Sequence, residues 1–220
     1  VPGTPEFTIK EDVVALIPPA FLDSVVAIGV FNGSSKKMDW IGTGFLWGRF
    51  LKEVDSQKWH TIFLVTNKHV LVDQKTVWVR FNHVGGEKCT DYKIDLVDKA
   101  GKQIWTGHTD PLVDVATFML NMQLLGPDNG PFFFFRGDPE ILSIAQLKEN
   151  EFSEGDQVFV LGYPMRIVSQ DRQYAICRAG CIARLRDLLD GKSSDFLIDS
   201  SVFPGNSGGP VISKPEVVSI

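Results

Sequence analysis

Short apolar runs separated by turn-forming residues dominate the pattern of the chain. Nearly continuous apolar stretches, typical of buried strands, occupy 24–31, 40–48, 61–71, 113–120, 156–164, 172–185 and 195–203. Residues 75–82 alternate instead, with Val77, Val79 and Phe81 on one face of the predicted strand. Glycine, asparagine, aspartate and proline lie between most of these segments. The pattern therefore predicts many short β-strands.

Helical signals are few along the sequence. The stretch "ALIPPAFLDSV" is interrupted by Pro18 and Pro19, which a helix interior does not accommodate. Residues 182–192 fit either a turn or two of helix before Gly191 or a strand followed by a loop. Many strands with few helices favour an all-β chain built as an antiparallel barrel or sandwich.

The distribution of the predicted strands suggests two β-barrels in sequence. Roughly six strands precede residue 122 and several follow residue 155. We therefore divide the chain, in order, into an N-terminal segment, a first barrel, a connector and a second barrel, with bounds 1–23, 24–122, 123–155 and 156–220. The connector contains "FFFF" at 132–135, which we expect to bury against the barrels, although an exposed docking patch would have the same sequence.

The composition is that of an ordinary globular protein. The chain has 220 residues, of which 44% are hydrophobic and 22% charged. A net charge of -5 and an isoelectric point near 5.4 argue against nucleic acid as the main partner, because phosphate binding needs a basic face. No run of about 18 apolar residues occurs, so no membrane span is expected.

The three cysteines, Cys89, Cys177 and Cys181, do not resemble a disulfide framework. Cys177 and Cys181 fit half of a metal site, but no second cluster accompanies them, and we favour small core residues; neither a metal nor a cofactor is expected. The first residues lack a signal-peptide pattern, and "GTPEF" fits a remnant of cloning. A cytoplasmic location is favoured, and a periplasmic one stays open if a native N-terminal segment was removed.

The stretch "PGNSGGPVI" at 204–212 is either a flexible linker or a backbone shaped around one reactive hydroxyl. A serine nucleophile needs a base to take its proton and backbone N–H groups to bind the developing oxyanion. Gly205 can adopt a conformation that turns its N–H toward such an oxyanion, and Ser207 supplies a second N–H. Flanking apolar runs place the stretch between strands, which favours a preorganised site.

A base and a carboxylate are both available for Ser207. His69 ends an apolar strand, where we expect a loop to present it, whereas the three other histidines lie in polar stretches and read as surface residues: His60, His83 and His108. Asp114 stands alone inside an apolar run and should have a partner, either His69 or the backbone at a strand end. Asp110, in a polar turn before a proline, is the alternative acid.

These residues carry a family resemblance. "TNKHV", "DVA" and "PGNSGGPV" resemble the three signature blocks of trypsin-like serine peptidases, and "GTGF" at 42–45 makes the HtrA-like branch the closer match. The resemblance implies a chymotrypsin-like fold of two antiparallel six-stranded β-barrels. It implies His69 as general base, Asp114 as its orienting acid and Ser207 as nucleophile, with Gly205 and Ser207 forming the oxyanion hole. Proteins or peptides would be the substrates.

The sequence also departs from the family pattern. Ser201 stands where trypsin carries the aspartate that selects basic side chains, so we expect a substrate-binding pocket for apolar or small ones. Few residues follow Ser207, so the second barrel looks truncated at its C-terminus. The alternatives to an active endopeptidase are a non-cleaving peptide-binding module and a domain inactive until a partner or a missing segment completes the cleft. The oligomeric state is open, and the resemblance admits a trimer.

Overall fold

The computed structural model describes residues 4–5, 16–83, 88–121 and 132–214. The strands in these ranges are β1 (Thr4–Pro5), β2 (Val25–Asn32), β3 (Lys37–Val54), β4 (Gln57–Thr66), β5 (Thr76–Asn82), β6 (Cys89–Asp95), β7 (Thr106–Gly107), β8 (Ala116–Met119), β9 (Phe135–Arg136), β10 (Gln157–Gly162), β11 (Ile176–Arg184), β12 (Leu197–Ser200) and β13 (Val211–Ser213). The helices are α1 (Pro19–Asp23), α2 (Lys68–Leu71), α3 (Gly137–Glu140), α4 (Ile144–Glu149) and α5 (Arg186–Leu189).

The first sheet contains nine strands. Its main path runs β6-β5-β2-β3-β4-β8-β7, with β1 added beside β4 and β9 beside β3. All of its pairs are antiparallel except β3 with β9. The long hairpin of β3 and β4 turns at Asp55 and Ser56, which both have positive φ, as a two-residue turn of this kind requires.

The second sheet has four antiparallel strands in the order β12-β11-β10-β13. The mostly-β fold with few helices is therefore confirmed. Within the described residues the two sheets do not close into barrels, and the prediction of six strands in each barrel is not confirmed. The segment predicted to be a connector contributes β9 to the first sheet and also carries α3 and α4.

A shared apolar cluster lies between the two sheets. Val25 and Ala27 of β2 pack with Leu161 of β10 and with Tyr163, and Phe135 of β9 joins them. Separate clusters fill the interior of the first sheet and the space beneath β10, β11 and α5. The packing of these apolar side chains fixes the orientation of the two sheets relative to each other.

The tetraphenylalanine stretch is buried, as predicted. Phe132 and Phe135 are almost fully buried, and Phe133 and Phe134 are half-buried. The ring of Phe135 packs at 4.9 Å from that of Phe21, while Phe132 lies 5.2 Å from Phe81 in the first core. This stretch therefore serves both cores and is not an exposed docking patch.

Other predictions about single residues were wrong. His60 is only 5% exposed, because on β4 it faces the rings of Phe50 and Phe134. The cysteines are not core residues: Cys177 is exposed and Cys181 half-buried, and both are free thiols. They stand four positions apart on one strand, too far for a disulfide.

A buried polar cluster joins β5 to the segment that leads into β11. Asn82, 1% exposed, donates to the Gln173 carbonyl oxygen at 2.7 Å and accepts the Gln173 N–H at 3.1 Å. Asn82 also donates to Asp23 at 2.7 Å, and Asp23 pairs with Arg172 at 2.6 Å. These bonds connect the two halves of the molecule. Among the described residues, no helix is long and apolar enough to cross a membrane.

Candidate active site

His69 lies in the first turn of α2, directly after β4 ends at Thr66. The prediction of a loop at this point was wrong, because the buried Val70 and Leu71 anchor a helical turn to the first core. The side chain of His69 is 57% exposed, so the ring is open to a ligand on one side. A short helix on a rigid sheet thus presents the imidazole.

Asp114 precedes β8 and faces His69. Because β8 pairs antiparallel with β4, Ala116 lies opposite Thr66, and the residues just beyond this pair meet. The Oδ2 atom of Asp114 lies 2.5 Å from Nδ1 of His69, and Oδ1 accepts the His69 backbone N–H at 3.0 Å. The sequence left two partners open for Asp114, the ring of His69 and the backbone. The carboxylate binds both, one with each oxygen.

The surroundings of Asp114 favour its charged form. Its side chain is 45% exposed and lies before the strand, so the prediction that it sits inside an apolar strand was wrong. Partial burial opposes ionisation, but the hydrogen bonds from the ring and backbone N–H of His69 outweigh it and lower the pKa of Asp114. The carboxylate can therefore hold one tautomer of the imidazole.

Asp110, the alternative acid, is engaged elsewhere. Its carboxylate accepts the backbone N–H of Leu112 at 2.9 Å, and its carbonyl oxygen accepts Nζ of Lys68 at 2.9 Å. The structure therefore brings Asp114, and not Asp110, to the histidine.

The segment around Ser207 forms two successive turns. Gly205 and Gly208 have φ of 101° and 87°, which side-chain-bearing residues rarely adopt. The N–H of Asn206 donates to the carbonyl oxygen of Phe203, and that of Gly209 to Asn206. Within the described ranges, the N–H groups of Gly205 and Ser207 have no hydrogen-bond acceptor. Two free donors near one hydroxyl are what an oxyanion site needs.

The two turns around Ser207, called the serine turn below, and the helix that carries His69 both pack against β3. A Cβ atom added at Gly42 would lie 2.8 Å from Val70 and 3.3 Å from the carbonyl oxygen of Ser207. Only glycine allows α2 and the serine turn to approach the strand this closely. In the described part of the chain, His69 and Ser207 make no direct hydrogen bond, and such bonds are often long before substrate is bound.

Thr43 is a site residue that the sequence analysis missed. It lies on β3, is completely buried, and its N–H donates to the carbonyl oxygen of Ser207 at 2.8 Å. Its hydroxyl donates to the carbonyl oxygen of Gly205 at 2.6 Å. The only sequence signal was its place between two glycines in "GTGF", which does not reveal contacts with a segment 162 residues away.

A cavity of about 230 Å³ adjoins the serine turn. It is lined by Trp40, Ile41, Met165, Arg166, Pro204 and Gly205. Ser201, the predicted specificity residue, is exposed and directly follows β12. Its role in substrate binding stays a prediction.

The sequence model of a family described as a trypsin-like peptidase domain matches residues 42–218. The solved structures with a similar fold include the HtrA-type protease AlgW with a tripeptide, at 17% identity and a TM-score of 0.50, covering 88% of this chain and 48% of AlgW. The MamO protease domain from Magnetospirillum magneticum shows 16% identity and a TM-score of 0.50, covering 88% of this chain and 80% of that one.

These likenesses concern the fold alone, because the identities are low. The chain spans about half the length of the AlgW structures that it matches. A comparison with curated protein sequences gives no match. The family match over residues 42–218 is the one that rests on sequence, and the solved structures support the fold.

Proposed function

Because this chain belongs to the family of trypsin-like peptidase domains, we propose that it is a serine endopeptidase that cleaves peptide bonds through an acyl-enzyme. The single observation that carries the proposal is the doubly bonded pair of His69 and Asp114. Such a pair fixes which ring nitrogen is free to act as a base. Ser207, in the serine turn that packs against β3, is the nucleophile.

In the proposed reaction, Nε2 of His69 takes the proton of Ser207 Oγ as that oxygen bonds to the scissile carbonyl carbon. The imidazolium is stabilised by Asp114 and returns its proton to the leaving amine when the C–N bond breaks. Water then attacks the acyl-enzyme with the same base, and Ser207 is released together with the new carboxylic acid.

The N–H groups of Gly205 and Ser207 are the proposed oxyanion donors. Their lack of acceptors within the described residues and the positive φ of Gly205 support this role. A preorganised pair of donors stabilises the tetrahedral intermediate without reorganising at the moment of reaction. For the substrate, we propose an apolar or small side chain, because serine stands at position 201, where an acid would select lysine or arginine.

One observation favours a second candidate, a domain that is inactive until a partner or a further segment completes its cleft. His69 and Ser207 make no direct hydrogen bond within the described part of the chain. Such a domain would hold the histidine and acid correctly but would need the serine turn to move until Ser207 reaches His69.

Labelling with a fluorophosphonate, followed by intact mass measurement, tests the proposal. We expect one adduct per chain on the wild type and none on Ser207→Ala, whose peptidase turnover should fall by roughly 10⁴ to 10⁶. Ser35→Ala, at an exposed serine in the turn between β2 and β3, is the matched control and should still be labelled. A wild type that takes no adduct would contradict an active endopeptidase and favour the second candidate.

A further inference from the structure

The hydroxyl of Thr43 lies between the first sheet and the serine turn. It has no role in the proposed reaction described above. We infer that Thr43 is a positioning residue that holds Gly205 in the conformation needed for oxyanion binding. The inference rests on the proposed function, because the value of that conformation lies in the oxyanion hole. Thr43 itself touches no reacting atom.

The hydroxyl of Thr43 has both of its roles assigned by its neighbours. The backbone N–H of Tyr163 can only donate, and its nitrogen lies 3.0 Å from Thr43 Oγ1, so the hydroxyl is the acceptor there. The hydroxyl proton is then directed at the carbonyl oxygen of Gly205, 2.6 Å away. Full burial of Thr43 removes water as a substitute partner, and each bond is therefore costly to lose.

Hydrogen bonds hold the peptide planes on both sides of Gly205. The peptide plane before Gly205 is held at its carbonyl end, since Pro204 accepts the N–H of Met165 at 2.7 Å. In a trans peptide the N–H points opposite to the C=O, so this bond aims the Gly205 N–H away from Met165. The plane after Gly205 is held at its carbonyl end by the hydroxyl of Thr43 and at its N–H end by the bond from Asn206 to Phe203, at 3.1 Å. Loss of the bond from Thr43 weakens the hold on this plane and gives Gly205 part of the rotational freedom that an oxyanion donor must not have.

Thr43 also contacts Ser207, the residue that carries the other proposed donor. Its backbone N–H donates to the carbonyl oxygen of Ser207, which fixes the peptide plane following the nucleophile. This second contact does not depend on the side chain. Thr43→Val therefore separates the two effects, because it removes the hydroxyl and leaves the backbone bond to Ser207.

The experiment measures kcat and KM for peptide cleavage by the wild type, Thr43→Val, Thr43→Ser and Thr66→Val. Valine keeps the shape of threonine without its hydroxyl, and we expect kcat to fall roughly 10- to 100-fold, below the effect of deleting an oxyanion donor, with KM within about threefold. Serine keeps the hydroxyl and should restore kcat to within about threefold. The pH midpoint of kcat/KM should stay unchanged, because His69 and Asp114 are untouched.

Thr66→Val is the matched control for loss of stability. Thr66 is equally buried, and its hydroxyl donates to the carbonyl oxygen of Thr43 at 2.7 Å, so one buried hydrogen bond is lost there too. It should lower the melting temperature as Thr43→Val does and retain kcat to within about threefold. If Thr43→Val kept wild-type kcat, or if Thr66→Val lost as much, the inference would be overturned.

Amide hydrogen exchange tests the same inference without any need for activity. The N–H groups of Asn206 and Gly209 are bonded inside the serine turn, and their exchange should accelerate at least tenfold in Thr43→Val but not in Thr43→Ser. Unchanged exchange would refute the role of Thr43. A wild type that takes no fluorophosphonate and still shows this pattern would remove the proposed function while keeping the positioning role.

Discussion

At the scale of single residues, Asp114 is committed to His69 by both carboxylate oxygens. Asp114→Asn should lower kcat about 10⁴-fold, because an amide can donate to Nδ1 and stabilise the wrong tautomer of the imidazole. The measurement is steady-state cleavage of a peptide substrate at neutral pH. Asp110→Asn changes a nearby acid whose carboxylate accepts the backbone N–H of Leu112 in its own turn, and it should stay within about threefold of the wild type.

An Asp114→Asn variant with near wild-type turnover would remove Asp114 from the proposed mechanism. Equal losses in the two variants would have the same effect, since they would indicate a general response to lost charge. The melting temperatures of both variants, measured alongside, show whether folding contributes.

Residue types and local patterns nominated His69, Asp114 and Ser207 as candidates, because a nucleophile, a base and an acid each have few candidates in this chain. The structure brings His69 and Asp114 together, and the role of Ser207 stays a prediction. The same patterns were not sufficient for Thr43, whose role depends on contacts formed only when strand and turn meet. They also failed for His60, since one polar residue on a strand can be buried when aromatic rings from another segment cover it.

At the scale of elements, the serine turn depends on glycines with particular backbone angles. Gly208 has φ of 87°, and a Cβ there would lie 2.2 Å from both the Thr43 carbonyl oxygen and the Thr66 hydroxyl. Gly208→Ala should therefore lower the free energy of unfolding by about 3 kcal/mol or more, through backbone strain and overlap together. Chemical denaturation of the purified variants measures this.

Two other glycines separate these contributions. Gly101 has φ of 79° with open space around it, so Gly101→Ala should cost only the backbone term, about 1 kcal/mol. Gly33 has neither a positive φ nor a neighbour within 4 Å, and Gly33→Ala should change stability by less than about 0.5 kcal/mol. A different ranking of the three variants would contradict the assigned causes.

Strands were easier to predict than helices. Residues 24–31 and 75–82 match β2 and β5 closely. A short apolar or alternating run buries its apolar side chains when it forms a strand of a sheet. Pro18 and Pro19 were taken as helix breakers, yet Pro19 begins α1, where the missing N–H costs nothing. The six-residue α4 begins with a capping box of Ser143 and Gln146, a signal too short to stand out inside a segment interpreted as a connector.

At the scale of the whole molecule, Asn82 and Gln173 join the two halves through a buried pair of hydrogen bonds. Asn82→Ala should lower the free energy of unfolding by about 3 kcal/mol, because it leaves the N–H and C=O of Gln173 buried without their partner. The measurement is urea unfolding followed by fluorescence. Asn32→Ala, whose hydrogen bonds stay within one hairpin, should cost less than about 1 kcal/mol.

A loss at Asn82 no larger than that at Asn32 would show that the hydrogen bonds of Asn82 contribute little to holding the two halves together. Separate unfolding transitions for the two halves in Asn82→Ala would support the connecting role more strongly than the energy does.

The two-part architecture could be predicted from the spacing of strands, but the sheet membership of each strand could not. The segment 132–136 supplies β9 to the first sheet, and Phe135 of this strand packs in the cluster shared with the second sheet; no local pattern encodes such a choice. Pairing partners far apart in sequence are selected by tertiary packing, which short windows do not contain.

The bond from Thr43 to Gly205 joins residues 162 positions apart, and this separation has a consequence for folding during protein synthesis. As synthesis proceeds from the N-terminus, the strands around His69 and Asp114 can pair long before Ser207 has been added. Under the proposed mechanism, a growing chain holds a base without a nucleophile until Ser207 has been added. Nascent polypeptides nearby are therefore safe from cleavage until the serine turn has emerged and docked on β3.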